Sequence, residues 1–174
     1  MNRKILIVGF LVICAISVPI PTKAMNQEER LVHEDVANQH MNELILTKEY
    51  KEKFKKQIIV PSYFPFKITH VSGKIAQDKL TLDYKNVNLT SLLKIQAGPT
   101  DGEILLPKGN LYKPVALDKG YNGYFGKMAT GYELIFLHNN IQYNVKLIDK
   151  DRKYKPSKNE LKKVANSMIF FMEP

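Results

Sequence analysis

Apolar and polar residues alternate strictly along several stretches of this chain, and those stretches read as strands. Leu80, Leu82 and Tyr84 alternate with Thr81, Asp83 and Lys85, and Leu93, Ile95 and Ala97 continue in the same manner. Tyr132, Leu134, Phe136 and His138 run into Asn139-Asn140, and Ile141, Tyr143, Val145 and Leu147 run out of it. A period of two sends successive side chains to opposite faces, which marks a half-buried strand. Asparagine tolerates positive φ, so Asn139-Asn140 predicts a tight two-residue hairpin turn. Phe66–Ala76 reads as a further strand, followed by a short turn at Gln77-Asp78-Lys79. Gly98-Pro99-Thr100-Asp101-Gly102 signals a loop, and Pro107, Gly109 and Pro114 suggest short edge strands between Glu103 and Gly120.

The pattern is helical at both ends. From Asn26, with Glu29 three residues on, to about Gln57, Leu31, Val36, Met41, Leu44 and Ile45 approximate one apolar face. Thr47 offers a restart after Leu46, and Tyr50, Phe54 and Ile58 follow at spacings of four among Lys48, Lys51, Lys53, Lys55 and Lys56. Such a basic amphipathic helix packs against a sheet or lies on an anionic membrane, and packing is the commoner outcome. Pro61 and Pro65 stop it. Ser157 with Glu160 makes a capping box, and Leu161, Val164, Ala165, Met168 and Phe171 give the last helix its stripe. The expected fold is α+β: an antiparallel sheet of about five to seven strands with N-terminal and C-terminal helices packed on one face.

The first residues change the picture of where this domain works. Arg3 and Lys4 precede the apolar run Ile5 to Val18, Pro19 and Pro21 break it, and Thr22-Lys23-Ala24 supplies small residues for a cut. Residues 1–24 therefore read as a secretory signal peptide cleaved after Ala24, leaving a helical segment at 25–57 and the α+β domain at 58–174. The run falls short of the roughly 20 residues a spanning helix needs. Cys14 follows Ile13, too bulky a neighbour for a lipoprotein cysteine, and reads as a small hydrophobe. A mature form without cysteine is held by its core alone. Its net charge falls from +9 to +6, and only Arg30 and Arg152 of its basic residues are arginines. A lysine-rich, arginine-poor surface suits diffuse attraction to an anionic wall polymer or membrane surface rather than base reading, so no nucleic-acid partner is expected.

No catalytic signature, phosphate loop or cofactor motif is found. His33 and His40 are seven residues apart, about 10.5 Å along a helix, too far for one ion, so no metal is expected. His70 and His138 read as packing or surface positions. Asp149 and Asp151, among Lys146, Lys150, Arg152, Lys153 and Lys155, read as a solvated charged loop. One patch could carry binding: Gly120-Tyr121-Asn122-Gly123-Tyr124-Phe125-Gly126, with Tyr132 and Tyr143 brought near it. Rings beside asparagine hold sugars or peptides elsewhere, which makes Tyr121, Asn122, Tyr124, Phe125, Tyr132 and Tyr143 the candidate ligand-binding set. The competing reading is a glycine-permitted turn into the hairpin, with the tyrosines capping the core.

Several segments together resemble a known family. These are Val60-Pro61-Ser62-Tyr63-Phe64-Pro65-Phe66-Lys67, Leu80-Thr81-Leu82-Asp83-Tyr84, Leu93-Lys94-Ile95-Gln96, Ile141-Gln142-Tyr143-Asn144-Val145 and the helix from Ser157 to Met168. Over about residues 58–170 the chain resembles the uncharacterised extracytoplasmic domain of Gram-positive lipoproteins and anti-sigma-factor-like membrane proteins. The resemblance implies an accessory or sensory binding domain outside the cytoplasm, with no catalytic residues. Three functions follow in order: a non-enzymatic binding module, secreted or envelope-associated, acting at the cell envelope or outside the cell on an anionic wall polymer, a membrane surface or another envelope protein; a carrier of a lipid or other apolar ligand between sheet and helices; and an enzyme of unrecognised type.

Overall fold

The computed structural model describes residues 27–108, 111–151 and 154–170, with side chains from Met41 to Ile169 within those ranges. The proposed signal peptide, Met25, Cys14 and Phe171 lie outside the described residues, as do the side chains of Leu31, His33, Val36 and His40. The elements run α1 (Gln27–Phe54), β1 (His70–Ala76), β2 (Lys79–Asn86), β3 (Ser91–Pro99), β4 (Tyr112–Ala116), β5 (Asn122–Met128), β6 (Gly131–His138), β7 (Ile141–Asp149) and α2 (Lys158–Phe170). The seven strands form one antiparallel sheet in the order β1-β2-β3-β7-β6-β5-β4. The fold is α+β, with one helix before the sheet and one after it.

Alternation decides which face is covered. Leu82, Ile95, Val145 and Leu134 are register partners across four strands, and all are buried. On the same face Tyr84, Leu93 and Leu147 form a second row, and Leu80, Ala97, Tyr143 and Phe136 a third. Both helices lie on this face, α1 over β1 and β2 and α2 over β6 and β7. Gly73 lets α1 come close: a Cβ there would stand 2.7 Å from the Leu46 side chain. Tyr50 is fully buried and its hydroxyl donates to the Asp78 carbonyl at 2.7 Å.

The chain crosses between the helices on the way from α1 to β1. Ile58, Pro61 and Phe66 are buried along this crossing, and its backbone is bonded on both sides. Ile59 N–H donates to Tyr143 Oη (3.2 Å), and Ser62 and Tyr63 N–H groups donate to Ser167 Oγ on α2 (3.3 and 3.2 Å). The expected strand from Phe66 starts only at His70: Thr69 N–H still donates to the Lys85 carbonyl of β2 (2.8 Å), but the Lys67 carbonyl accepts from the Asn86 side chain (2.8 Å) in place of a backbone ladder bond.

Local chemistry sets the turns and caps. Asn139 and Asn140 both have positive φ (49° and 57°), which matches the right-handed twist of the β6–β7 hairpin. Ser157 Oγ accepts the Glu160 N–H (3.2 Å), and Glu160 Oε2 accepts the Ser157 N–H (3.0 Å), the reciprocal bonds of a capping box. Leu161, Val164, Ala165, Met168 and Ile169 then bury completely. Pro114 sits in β4, an edge strand, where a residue without an N–H is tolerated and discourages pairing with another chain.

Three expectations are corrected. β3 runs through Gly98 and Pro99, paired with Gln142 and Ile141, so the loop begins at Thr100. Residues 122–128 form the regular strand β5 and not a turn into the hairpin. Helix α1 continues unbroken through Thr47, whose hydroxyl donates to the Glu43 carbonyl (2.9 Å) without interrupting the helix.

Candidate functional site

The sheet face away from the helices is built from the polar half of the same alternation. One register row crosses all seven strands as Lys74, Thr81, Gln96, Asn144, Ile135, Tyr124 and Pro114. The next reads Ser72, Asp83, Lys94, Lys146, Glu133, Gly126 and Tyr112. Two carboxylates thus flank two ammonium groups. Lys94 Nζ lies 3.4 Å from Asp83 Oδ1, and Lys146 Nζ lies 3.3 Å from Glu133 Oε1.

Glu133 is only 2% exposed although it is on the open face. Tyr112 Oη donates to its Oε2 at 2.6 Å, and Asn144 Nδ2 donates to Oε1 at 3.3 Å. Gly126 makes this possible. A Cβ there would stand 2.6 Å from the Tyr112 ring, so the ring lies over the glycine and its hydroxyl reaches the carboxylate. Asn144 Oδ1 accepts from Gln142 Nε2 (2.9 Å). Gln142 also clamps the backbone of Leu105, accepting from its N–H (2.6 Å) and donating to its carbonyl (3.0 Å). A continuous network therefore runs from the edge strand β4 to the loop after β3, and each side chain in it is held by another.

At the loop end this network borders a cleft of about 140 Å³ lined by Lys79, Gln96, Gly98, Thr100, Leu105 and Asn144, among others. The Lys79 stem rests over Gly98, with Cγ 2.8 Å from where a Cβ would stand, and Lys79 lines the cleft. Neither Lys79 nor the Gln96 amide is engaged by another described residue. The cleft therefore offers a cation, an amide with both donor and acceptor, and an apolar wall at Leu105.

The sequence-derived candidates divide between the two faces. Asn122 and Tyr124 lie on the open face, exposed and half-buried respectively, with Tyr124 beside Ile135 and Pro114. Tyr121, Phe125 and Tyr132 pack against the covered core. The Phe125 and Tyr132 rings lie 5.1 Å apart, tilted by 31°, and Lys158 lies over the Phe125 ring. Tyr143 is fully buried against Phe136 (5.1 Å, 11° between planes), its hydroxyl fixing Ile59. Burial pushes the Tyr143 phenol well above its ordinary range. The reason is parity: odd and even positions of one strand face opposite ways, so Tyr124 and Phe125 cannot share a surface.

Two titratable groups outside the cleft are also placed. Tyr121 Oη and His138 Nδ1 are 2.8 Å apart, and partial burial lowers the His138 pKa below 6.5. Asp149, expected in a solvated loop, is 1% exposed. Its Oδ2 accepts the Tyr154 and Lys155 N–H groups (2.7 and 3.3 Å) and so ties the loop before α2 to the end of β7. Among the described residues no three His, Asp or Glu side chains are grouped to hold a metal, and no helix is long and apolar enough to cross a membrane. No protein-family model matches the chain, and no curated protein or solved structure is significantly similar to it.

The network of Glu133, Asn144 and Gln142 is what sequence reasoning missed. Its signal was present: the residues between the apolar positions of β6 and β7 are Glu133, Gln142, Asn144 and Lys146, polar groups that bond to one another across a pleat.

Proposed function

We propose that this chain is an exported, non-enzymatic binding module that acts by contact at the cell envelope, through the open face of its sheet. The observation that carries the reading is the cleft beside Gln142 and Asn144. Its walls are held by hydrogen bonds among themselves, while Lys79 and Gln96 stay unengaged. A preformed array of this kind loses little side-chain freedom on binding, which favours recognition by contact. The signal-like start of the chain and its resemblance to an extracytoplasmic domain agree with this role. An ammonium beside an amide suits an anionic polymer that also carries amide groups, such as cell-wall material. The carrier reading needs space between sheet and helices, and fully buried Tyr50, Tyr143, Phe136 and Met168 fill that region.

Co-sedimentation with purified cell-wall fragments tests the reading, using the chain from Met25 onward. The wild type is expected to pellet with the walls. Lys79→Glu and Gln96→Ala are expected to stay in the supernatant with unchanged circular dichroism. Variants that pellet like the wild type would remove the open face from the proposal, and a wild type that ignores walls would remove the wall. Intact-mass analysis of the protein from culture medium and envelope tests export: a chain beginning at Met25 without added mass is expected, and one beginning at an acylated Cys14 would contradict it.

A further inference from the structure

Helix α1 packs one side on the sheet and leaves a second group of apolar side chains facing away from the protein. Glu43, Leu46, Tyr50 and Phe54 face the sheet, with Glu43 and Tyr50 buried and Leu46 and Phe54 packed against the core. The buried contact includes a charge: Tyr84 Oη donates to Glu43 Oε2 at 2.6 Å. Met41, Leu44 and Ile45 are 54%, 61% and 54% exposed. At 100° per residue they fall on the line opposite the packed one, and Lys48 and Lys51 extend it by one turn. A helix that merely covers a sheet shows polar residues there. Three exposed apolar side chains on the outer side, with a buried glutamate among the packed residues of the inner side, depart from that arrangement.

We infer that this outer face of α1 docks on an anionic lipid surface, with Met41, Leu44 and Ile45 entering the headgroup layer and Lys48, Lys51 and Lys55 meeting lipid phosphates. Charge complementarity selects the occupant. From Lys48 to Lys56 the chain carries five lysines against Glu49 and Glu52, and Lys48 pairs with Glu52 only at 4.0 Å with both side chains exposed. A wall polymer would be satisfied by the lysines and has no use for the aliphatic cluster. A second copy of the chain is disfavoured by area. Three half-exposed side chains supply a patch of a few hundred Å² at most, whereas a stable dimer covers about 800 Å² on each partner. The surface lies on the side of the molecule opposite the open sheet face, so this inference and the proposed binding role stand or fall separately.

Vesicle flotation tests it, with the chain from Met25 onward so that the apolar run Ile5 to Val18 cannot supply the binding. Vesicles of phosphatidylcholine alone are compared with vesicles containing about one-third phosphatidylglycerol, at about 0.1 M and about 0.5 M salt. Binding is expected only to the anionic vesicles, and it weakens in high salt. The triple variant Met41→Ser, Leu44→Ser, Ile45→Ser is expected to abolish it with only a small fall in thermal midpoint, because each of these side chains is more than half exposed. Lys48→Gln and Lys51→Gln are each expected to weaken it about fivefold. Equal binding to both vesicle types, no binding to either, or a triple variant that floats like the wild type would each overturn the inference. So would a wild type that forms a dimer which the triple variant disperses, since the face would then be an interface between copies.

Discussion

The two faces of this sheet come from the same strands and are organised in opposite ways. The covered face is a close-packed apolar layer in which Leu82, Ile95, Val145 and Leu134 lie side by side, sealed by two helices and a crossing segment. The open face is a polar layer whose order comes from hydrogen bonds: Tyr112 to Glu133, Asn144 to Glu133, Gln142 to Asn144 and to Leu105. Burial orders the first without direction, while donors and acceptors order the second residue by residue. A face needed only for solubility could be unspecific lysine and threonine. One that fixes Glu133 at 2% exposure holds a buried carboxylate in place, and its partner Asn144 also lines the cleft.

The contrast predicts a graded series of effects, measured as unfolding free energies in denaturant. Leu82→Ala on the covered face is expected to destabilise most, by about 2–5 kcal/mol, because no neighbour can refill the volume. A loss below about 1 kcal/mol would mean the packed layer is loose. Glu133→Ala on the open face comes next, at about 1–3 kcal/mol, since it strands Tyr112, Asn144 and Lys146. Glu133→Gln keeps acceptor and shape and is expected to lose less. If the two variants match, the network contributes no order. Gly126→Ala displaces the Tyr112 ring and is expected to lose about 1 kcal/mol, the value of one hydrogen bond.

A smaller effect depends on pH. His138 has its pKa lowered by burial, so the unfolded chain binds its proton more readily than the folded one. Stability contributed by the neutral ring is therefore complete above pH 6.5 and declines as pH falls below it. His138→Gln is expected to flatten the stability profile in that window, and an unchanged slope would place the dependence elsewhere. Smallest of all is Lys79→Ala, expected to alter stability by no more than about 0.5 kcal/mol while removing wall binding. A large loss of stability would make Lys79 a packing residue of the sheet and not a contact.

Most of the fold was legible because period two is unambiguous where one face is buried. The β2, β3, β6 and β7 alternations, the Asn139-Asn140 turn and the Ser157–Glu160 capping box all predicted what is found. β5 was not read as a strand, since Gly120, Gly123 and Gly126 suggest a turn into the hairpin. The last two serve instead as places where neighbouring groups pass close, Gly126 beneath Tyr112 and Gly123 beside the Ile135 carbonyl. For α1, the expected stripe through Met41, Leu44 and Ile45 is the exposed one. The packed side includes Glu43, whose burial depends on a hydroxyl from Tyr84, 41 residues away, and no local pattern carries that information. The aromatic cluster failed to assemble because neighbouring residues in a strand point apart. The cleft was not foreseen because Lys79, Gln96 and Asn144 come from three strands, and register alone brings them together.

The most direct test is a two-dimensional NMR titration of the isotopically labelled chain from Met25 onward with solubilised cell-wall fragments. If the open face is the contact surface, shifts will concentrate on the side-chain amides of Gln96, Gln142 and Asn144 and on the backbone of Lys79 to Thr81 and Gln96 to Thr100. The amides of α2 will stay still. Shifts centred on α2 or on the Tyr121–His138 pair, or no shifts at saturating fragment concentration, would contradict it.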